Sequence, residues 1–181
     1  RTGKKFGFEH YNVIPDLICC GKGMGSGMPL SGVVTSNKIM NNPLVSGLTS
    51  THSANPIVCA AGTVTIDEIN KRKLVKKAHL LGKLFHQKLK LMKKKYSEII
   101  FETLGVGLIG SVIFKDYKGI KSKYIADYIS QECLSNGLLI CNTGRESIKL
   151  SPPLTISTNG IEKALKILDN AINKIRKLWQ L

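Results

Sequence analysis

Acidic residues are scarce in this sequence: twelve Asp and Glu stand against twenty-seven Lys and Arg, a formal net charge of +15 over 181 residues. Long apolar runs are missing, so no stretch reaches the length of a membrane-spanning helix. The opening residues lack the charged-then-apolar pattern of a secretory signal. The five cysteines are odd in number and never in C-x-x-C spacing. This argues against a disulfide framework and a zinc site, and suits a reducing cytoplasm. His10 has no second His, Cys or carboxylate at ligand spacing, so no metal is expected. Internal repeats and low-complexity linkers are also lacking. The 43% hydrophobic content excludes a disordered chain, and 181 residues suffice for one or two domains with a real core.

Much of the positive charge lies between Lys71 and Lys95, where KRKLVKK and KLKLMKKK occur. A basic helix can neutralise phosphates. Here, however, Leu74, Ala78, Leu81, Phe85, Leu89 and Met92 keep helical spacing. The lysines are therefore read as the solvated face of that helix, and no nucleic-acid partner is expected.

One stretch organises the rest: DLICCGKGMGSGMPLSG, residues 16–32. Leu17 to Cys20 reads as a short buried strand, followed by Gly21, a single Lys22, and Gly23, Gly25 and Gly27. A second strand is expected over residues 30–35. Burial of a lysine at a strand mouth favours its neutral form, and a neutral amine attacks carbonyls to form a Schiff base. The glycines would let a flat ring approach the backbone. On these residues alone, a surface turn whose lysine solvates a strand end is an equally good reading.

Arg1-Thr2-Gly3, a spacer of twelve residues, and then Asp16-Leu17-Ile18-Cys19-Cys20-Gly21-Lys22-Gly23-Met24-Gly25-Ser26-Gly27 together resemble the cofactor site of class III aminotransferases. That fold-type I group includes the 4-aminobutyrate, ornithine and acetylornithine enzymes and dialkylglycine decarboxylase. The resemblance implies pyridoxal 5'-phosphate as cofactor, with Lys22 carrying it as a Schiff base and then shuttling the substrate proton. It implies amino transfer from an amino acid or an ω-amine to a 2-oxo acid. A decarboxylase, racemase or aminomutase needs the same lysine, and a basic binding protein that has lost the chemistry is the remaining alternative. The family's chains are more than twice this long, so a C-terminal fragment, inactive alone, is expected. The implied fold is α/β: residues 1–96 complete the large cofactor domain with its exit helix, and residues 97–181 form the small α/β domain. The aspartate on the ring nitrogen, the stacking aromatic ring and the rest of the phosphate loop are expected in the remainder of the protein.

Along the chain, residues 3–11 read as a helical turn packing Phe6 and Phe8 onto the body, and residues 37–42 as a brief helix. Residues 47–61, GLTSTHSANPIVCAA, crowd hydroxyls and an amide ahead of Pro56 at a helix start. Free amides and the dipole there make an anion site, while simple capping is the alternative. The segment is similar to the family's T-x-x-x-N-P signature. That likeness implies that Thr51 binds the cofactor phosphate of a neighbouring subunit, hence a homodimer with shared sites.

A long helical region is expected over residues 56–96, broken near Ile66-Asp67 or at Gly82. Strands follow at 99–101 and 108–114, joined by Gly105-Val106-Gly107. Gly105, Gly107 and Gly110 spell G-x-G-x-x-G, but β-branched residues follow where a dinucleotide fingerprint needs a helix. Ser122 is expected to cap a helix closed by Asn136-Gly137, with strands at 138–141 and at 147–150 before Pro152-Pro153. Ile161, Leu165, Leu168, Ile172, Ile175 and Trp179 form one face of a last helix.

Residues 147–154, SIKLSPPL, resemble the family's R-x-x-P-P-L element, whose arginine grips a substrate or 2-oxoglutarate carboxylate. Lys149 stands in that arginine's place, a point charge instead of a planar fork. Lys149, with Arg145 four residues earlier, is the candidate carboxylate site.

Overall fold

The computed structural model describes residues 1–46 and 50–178. It divides into two compact units, one of residues 6–74 and one of residues 1–5 with 75–181.

In the first unit, a 3-10 turn at Gly7–His10 precedes strand β1 (Leu17–Cys20). The rings of Phe6 and Phe8 stack on each other with centroids 5.5 Å apart. A second 3-10 turn, Lys22–Gly25, leads to β2 (Gly32–Thr35), which pairs antiparallel with β1 from Leu17↔Thr35 to Cys20↔Gly32. Short helices α1 (Asn37–Met40) and α2 (Pro43–Ser46) follow. Helix α3 (Pro56–Lys71) starts with Pro56 in its first turn, where a missing N–H costs nothing. β1 is not the buried strand expected: Leu17 and Cys19 are exposed, because a two-stranded ribbon has no further layer over that face.

The helical region breaks at neither expected place. Lys73 takes a left-handed φ of 50° just past Lys71, and α4 (Leu74–Lys95) begins at the next residue. Gly82 lies inside unbroken α4 because its bare Cα faces a turn. A methyl there would stand 2.5 Å from the Cα of Gly107.

The second unit holds β3 (Ile100–Val106), β4 (Ile109–Phe114), α5 (Ser122–Ser135), β5 (Cys141–Asn142), β6 (Ser147–Leu150) and α6 (Thr158–Leu178). The sheet runs β3-β4-β6-β5, antiparallel throughout. Val112, Phe114, Ile148 and Leu150 alternate inward, and Phe85, Leu89, Ile129, Leu165, Leu168 and Ile172 from α4, α5 and α6 complete one core. α4 buries its apolar stripe in this core, and the compact unit accordingly takes in the chain from Val75. β3 runs on through Gly105 and Val106, so the glycines lie in a β-hairpin followed by a strand, which removes the dinucleotide reading. The strand expected at 138–141 is shorter and later, at Cys141–Asn142.

Ser122 is inside α5, not its cap. The Asp116 carboxylate accepts from the Ser122 N–H at 2.9 Å and from Lys121 Nζ at 2.8 Å. These bonds, Lys121 first, hold the Asp116 carboxyl down to about 2. The apolar stripe of α6 is buried from Ile161 to Ile175, while Trp179 lies outside the described residues, as do residues 47–49. Among the described residues no helix is long and apolar enough to cross a membrane.

Gly82→Ala should destabilise the protein by about 1–3 kcal/mol, the usual cost of overpacking, despite the better helix propensity of alanine. A denaturation midpoint unchanged or raised would mean that α4 and the Gly107 turn have room to part.

Candidate active site

The chain carries Lys22 out of β1 through a defined series of turns. Gly21 is extended, Lys22 is left-handed at φ 49°, and the 3-10 turn closes with Met24 N–H donating to the Gly21 carbonyl at 3.1 Å. Ser26 (φ 48°) and Gly27 (φ 106°) then reverse the chain, with Met28 N–H donating to Gly25 O at 3.0 Å. The loop is seated on α3. A Cβ at Gly62 would meet Leu30 Cδ2 at 2.3 Å, and Thr65 Oγ1 lies 3.1 Å from Ser26 Oγ.

Lys22 is exposed, so the burial expected at a strand mouth is not supplied by these residues. What the turn supplies is direction and clearance. Nothing lies within 4 Å of the position a Cβ would take on Gly23, beside the lysine. A primary amine on a constrained turn, with open space next to it, fits a group that offers an aldehyde.

Thr51 is exposed in the turn 51–54, which ends at Ala54 with φ 56°. The anion site expected at the start of α3 is narrower than the sequence suggested. Asn55 Oδ1 accepts from Ile57 N–H at 3.0 Å and Val58 N–H at 3.4 Å, so the first amides are already capped. Ser53 Oγ donates to Ser50 O at 2.7 Å. A phosphate here would rely on side-chain hydroxyls, Thr51 among them.

In the second unit, Lys149 is exposed on β6, opposite Ser111 of β4 and Cys141 of β5. With Ser151 it lines an apolar cavity of about 580 Å³, walled by residues including Leu139, Pro153, Ile156 and Ala164. Arg145 lies in the exposed turn between β5 and β6, next to Gly144 at φ 74°. The residue that sequence reasoning missed is Arg1, whose Nη1 donates to Ser151 Oγ. Only the bare motif R-T-G pointed to it. Among the described residues no cluster of His, Cys, Asp or Glu could hold a metal.

A family model described as aminotransferase class-III matches residues 1–172. The acetylornithine aminotransferase of Caldanaerobacter subterraneus is 34% identical over 97% of this chain and 42% of its own length. The alanine/serine racemase of Pyrococcus horikoshii is 36% identical over 95% of this chain and 36% of its own. In crystal structures, the acetylornithine aminotransferase of Elizabethkingia anophelis superposes with a TM-score of 0.85 at 31% identity, over 96% of this chain and 43% of that one. The chain thus spans about two-fifths of the length of such relatives.

The left-handed backbone at Lys22 has a measurable consequence. Lys22→Gly should be more stable than Lys22→Ala by about 1 kcal/mol, since only glycine adopts that φ without steric cost. Urea unfolding of the two variants gives the comparison. Equal stabilities would mean that the turn relaxes in solution.

Proposed function

Because the chain belongs to the class III aminotransferases, a family of pyridoxal 5'-phosphate enzymes with a fold-type I α/β architecture, we propose that the whole protein transfers an amino group from an amino acid or a 4-aminobutyrate-like ω-amine to a 2-oxo acid. The observation that carries this reading is Lys22, an exposed amine held left-handed on a turn seated on α3. When bound, the cofactor supplies an aldehyde for the lysine and an electron-withdrawing ring that eases removal of a proton from the substrate carbon. The Lys22 amine holds the cofactor, is released by the incoming amine, and then takes and returns the proton at Nζ. Thr51 donates its hydroxyl to the phosphate, and Lys149 meets a substrate carboxylate as a point charge.

We assign residues 1–96 to the cofactor domain with its exit helix and residues 97–181 to the small domain of the whole enzyme. A homodimer with shared sites is part of the proposal. It rests on the likeness of residues 51–56 to the family's T-x-x-x-N-P signature. Five free thiols support a reducing, cytoplasmic setting. The lysines of α4 are read as a solvated face and not as a nucleic-acid surface. Racemisation on the same scaffold is the second reading, favoured by the likeness to the Pyrococcus racemase. A panel of 2-oxo acids separates the two, because a racemase has no need of an acceptor.

Lys22→Ala in the full-length enzyme should abolish both turnover and the cofactor fixed to protein by borohydride. Persistence of fixed cofactor on another lysine would remove Lys22 from its role. Thr51→Ala should keep the covalent link and weaken cofactor retention about ten-fold, as one charge-assisted bond implies. Cofactor retained equally well after dialysis would leave Thr51 without that contact.

At the carboxylate site, Lys149→Ala should raise KM for 2-oxoglutarate about ten-fold and Lys149→Arg should lower it, a fork replacing a single point contact. Kinetics indifferent to both substitutions would move acceptor recognition away from Lys149.

A further inference from the structure

Arg1 opens a motif for which the reading above has no task. Its side chain reaches the end of β6, where Nη1 donates to Ser151 Oγ. Its backbone is fixed independently. The Arg1 carbonyl accepts from Leu108 N–H at 2.9 Å, and Thr2 lies so close to Gly107 that a methyl on that glycine would stand 2.4 Å from the Thr2 carbonyl carbon. Gly107 is itself left-handed at φ 58°, so the turn that receives Arg1 and Thr2 is built around a residue with no side chain.

Ser151 brings this guanidinium to Lys149. Ile148 and Leu150 are buried, while Lys149 is exposed and Ser151 half-buried. Pro152 confines Ser151 to the extended region, so the alternation of β6 continues through it. Lys149 and Ser151 therefore share a face, their Cβ atoms about 7 Å apart. No ion pair among the described residues involves Arg1 or Lys149. A guanidinium tied to Ser151 and an ammonium at Lys149, on one face and neither in an ion pair, repel each other unless an anion lies between them.

We propose that Arg1 is a specificity residue, which with Lys149 forms a two-cation site for a carboxylate of a dicarboxylic 2-oxo acid, its guanidinium aimed by Ser151. This rests on the reading of Lys149 as the carboxylate site. It supplies the planar two-pronged grip that a lysine lacks. The apolar cavity beside Lys149 and Ser151 offers a wall for the acid's methylene chain.

The test uses the full-length holoenzyme and glutarate, a dicarboxylate with no carbonyl to react, titrated by calorimetry, together with KM and kcat for 2-oxoglutarate. Arg1→Gln should weaken glutarate about ten-fold and raise KM with little change in kcat. Arg1→Lys should recover only part of the loss. Ser151→Ala, which leaves both cations in place, should weaken glutarate several-fold, and Ser151→Thr should restore it. The serine variants also decide the matter if Arg1→Gln fails to fold. Glutarate binding unchanged in Arg1→Gln, or in the serine pair where that variant is lost, overturns the proposal. If Lys149→Ala still weakens binding in that case, the reading of Lys149 survives. Loss in Arg1→Gln without loss in Lys149→Ala overturns the two-cation site and the reading of Lys149 together.

Discussion

Close backbone approach at glycine is the constraint on which both units are built. At Gly62 of α3 the missing methyl admits Leu30, and the lysine-bearing loop is thereby laid on the helix. At Gly82 of α4 it admits the turn at Gly107, whose own missing methyl admits Arg1 and Thr2. At Gly82 and Gly107 the nearest atoms, at 2.5 and 2.4 Å, are backbone and would clash with any other residue, while at Gly62 the near atom is the tip of the Leu30 side chain. Helix propensity disfavours glycine in a helix interior by about 1 kcal/mol. At Gly82 that cost is offset by backbone packing that no side chain could permit. The loops seated at these contacts carry Lys22 in one unit and the Arg1 segment in the other.

The positive charge is organised more than its sum suggests. Lys88 pairs with Glu162, Lys93 with Glu102, and Lys95 with Asp169, while Lys77 donates to the Thr155 carbonyl. These contacts fasten the polar flank of α4 to α6, β3 and the 151–157 segment, around a core that already holds them together. Lys95 and Arg176 also lie over the Tyr96 ring, at 4.8 and 5.3 Å from its centroid. Such exposed pairs contribute little singly. Their placement explains why a helix with so many lysines need not be a phosphate-binding surface.

Periodicity made the helices and most strands legible. The inward stripe of α6, the apolar residues of α4 and the strand at Ser147–Leu150 all follow from spacing alone, and the R-T-G and lysine-loop motifs identified the family. Three features were hidden because they depend on partners distant in sequence. The break at Lys73 has no glycine or proline to announce it, since a lysine takes the left-handed position at the helix end. Gly82 resembles a breaker until Gly107 is seen against it. The tie from Arg1 to Ser151 spans 150 residues, and no local pattern encodes it. Cover for β1 is a separate matter: an apolar run shows what a strand can bury, and this chain, two-fifths the length of its relatives, supplies no layer over that face among the described residues.

The left-handed residues separate ordinary turns from the candidate site. Lys118 and Gly119, at φ 48° and 81°, are the two central residues of a tight hairpin between Tyr117 and Ile120, a geometry that demands positive φ at both. Lys73 ends a helix, where the left-handed region is the common exit. Lys22 has no such excuse. Its loop places glycine at 21, 23, 25 and 27, yet two left-handed positions hold Lys22 (φ 49°) and Ser26 (φ 48°). A sequence shaped only for stability would put glycine there. Two side chains, the Lys22 amine and the Ser26 hydroxyl that meets Thr65 on α3, are thus kept where glycine would relieve the backbone, and a sequence under pressure for stability alone gives no reason for either.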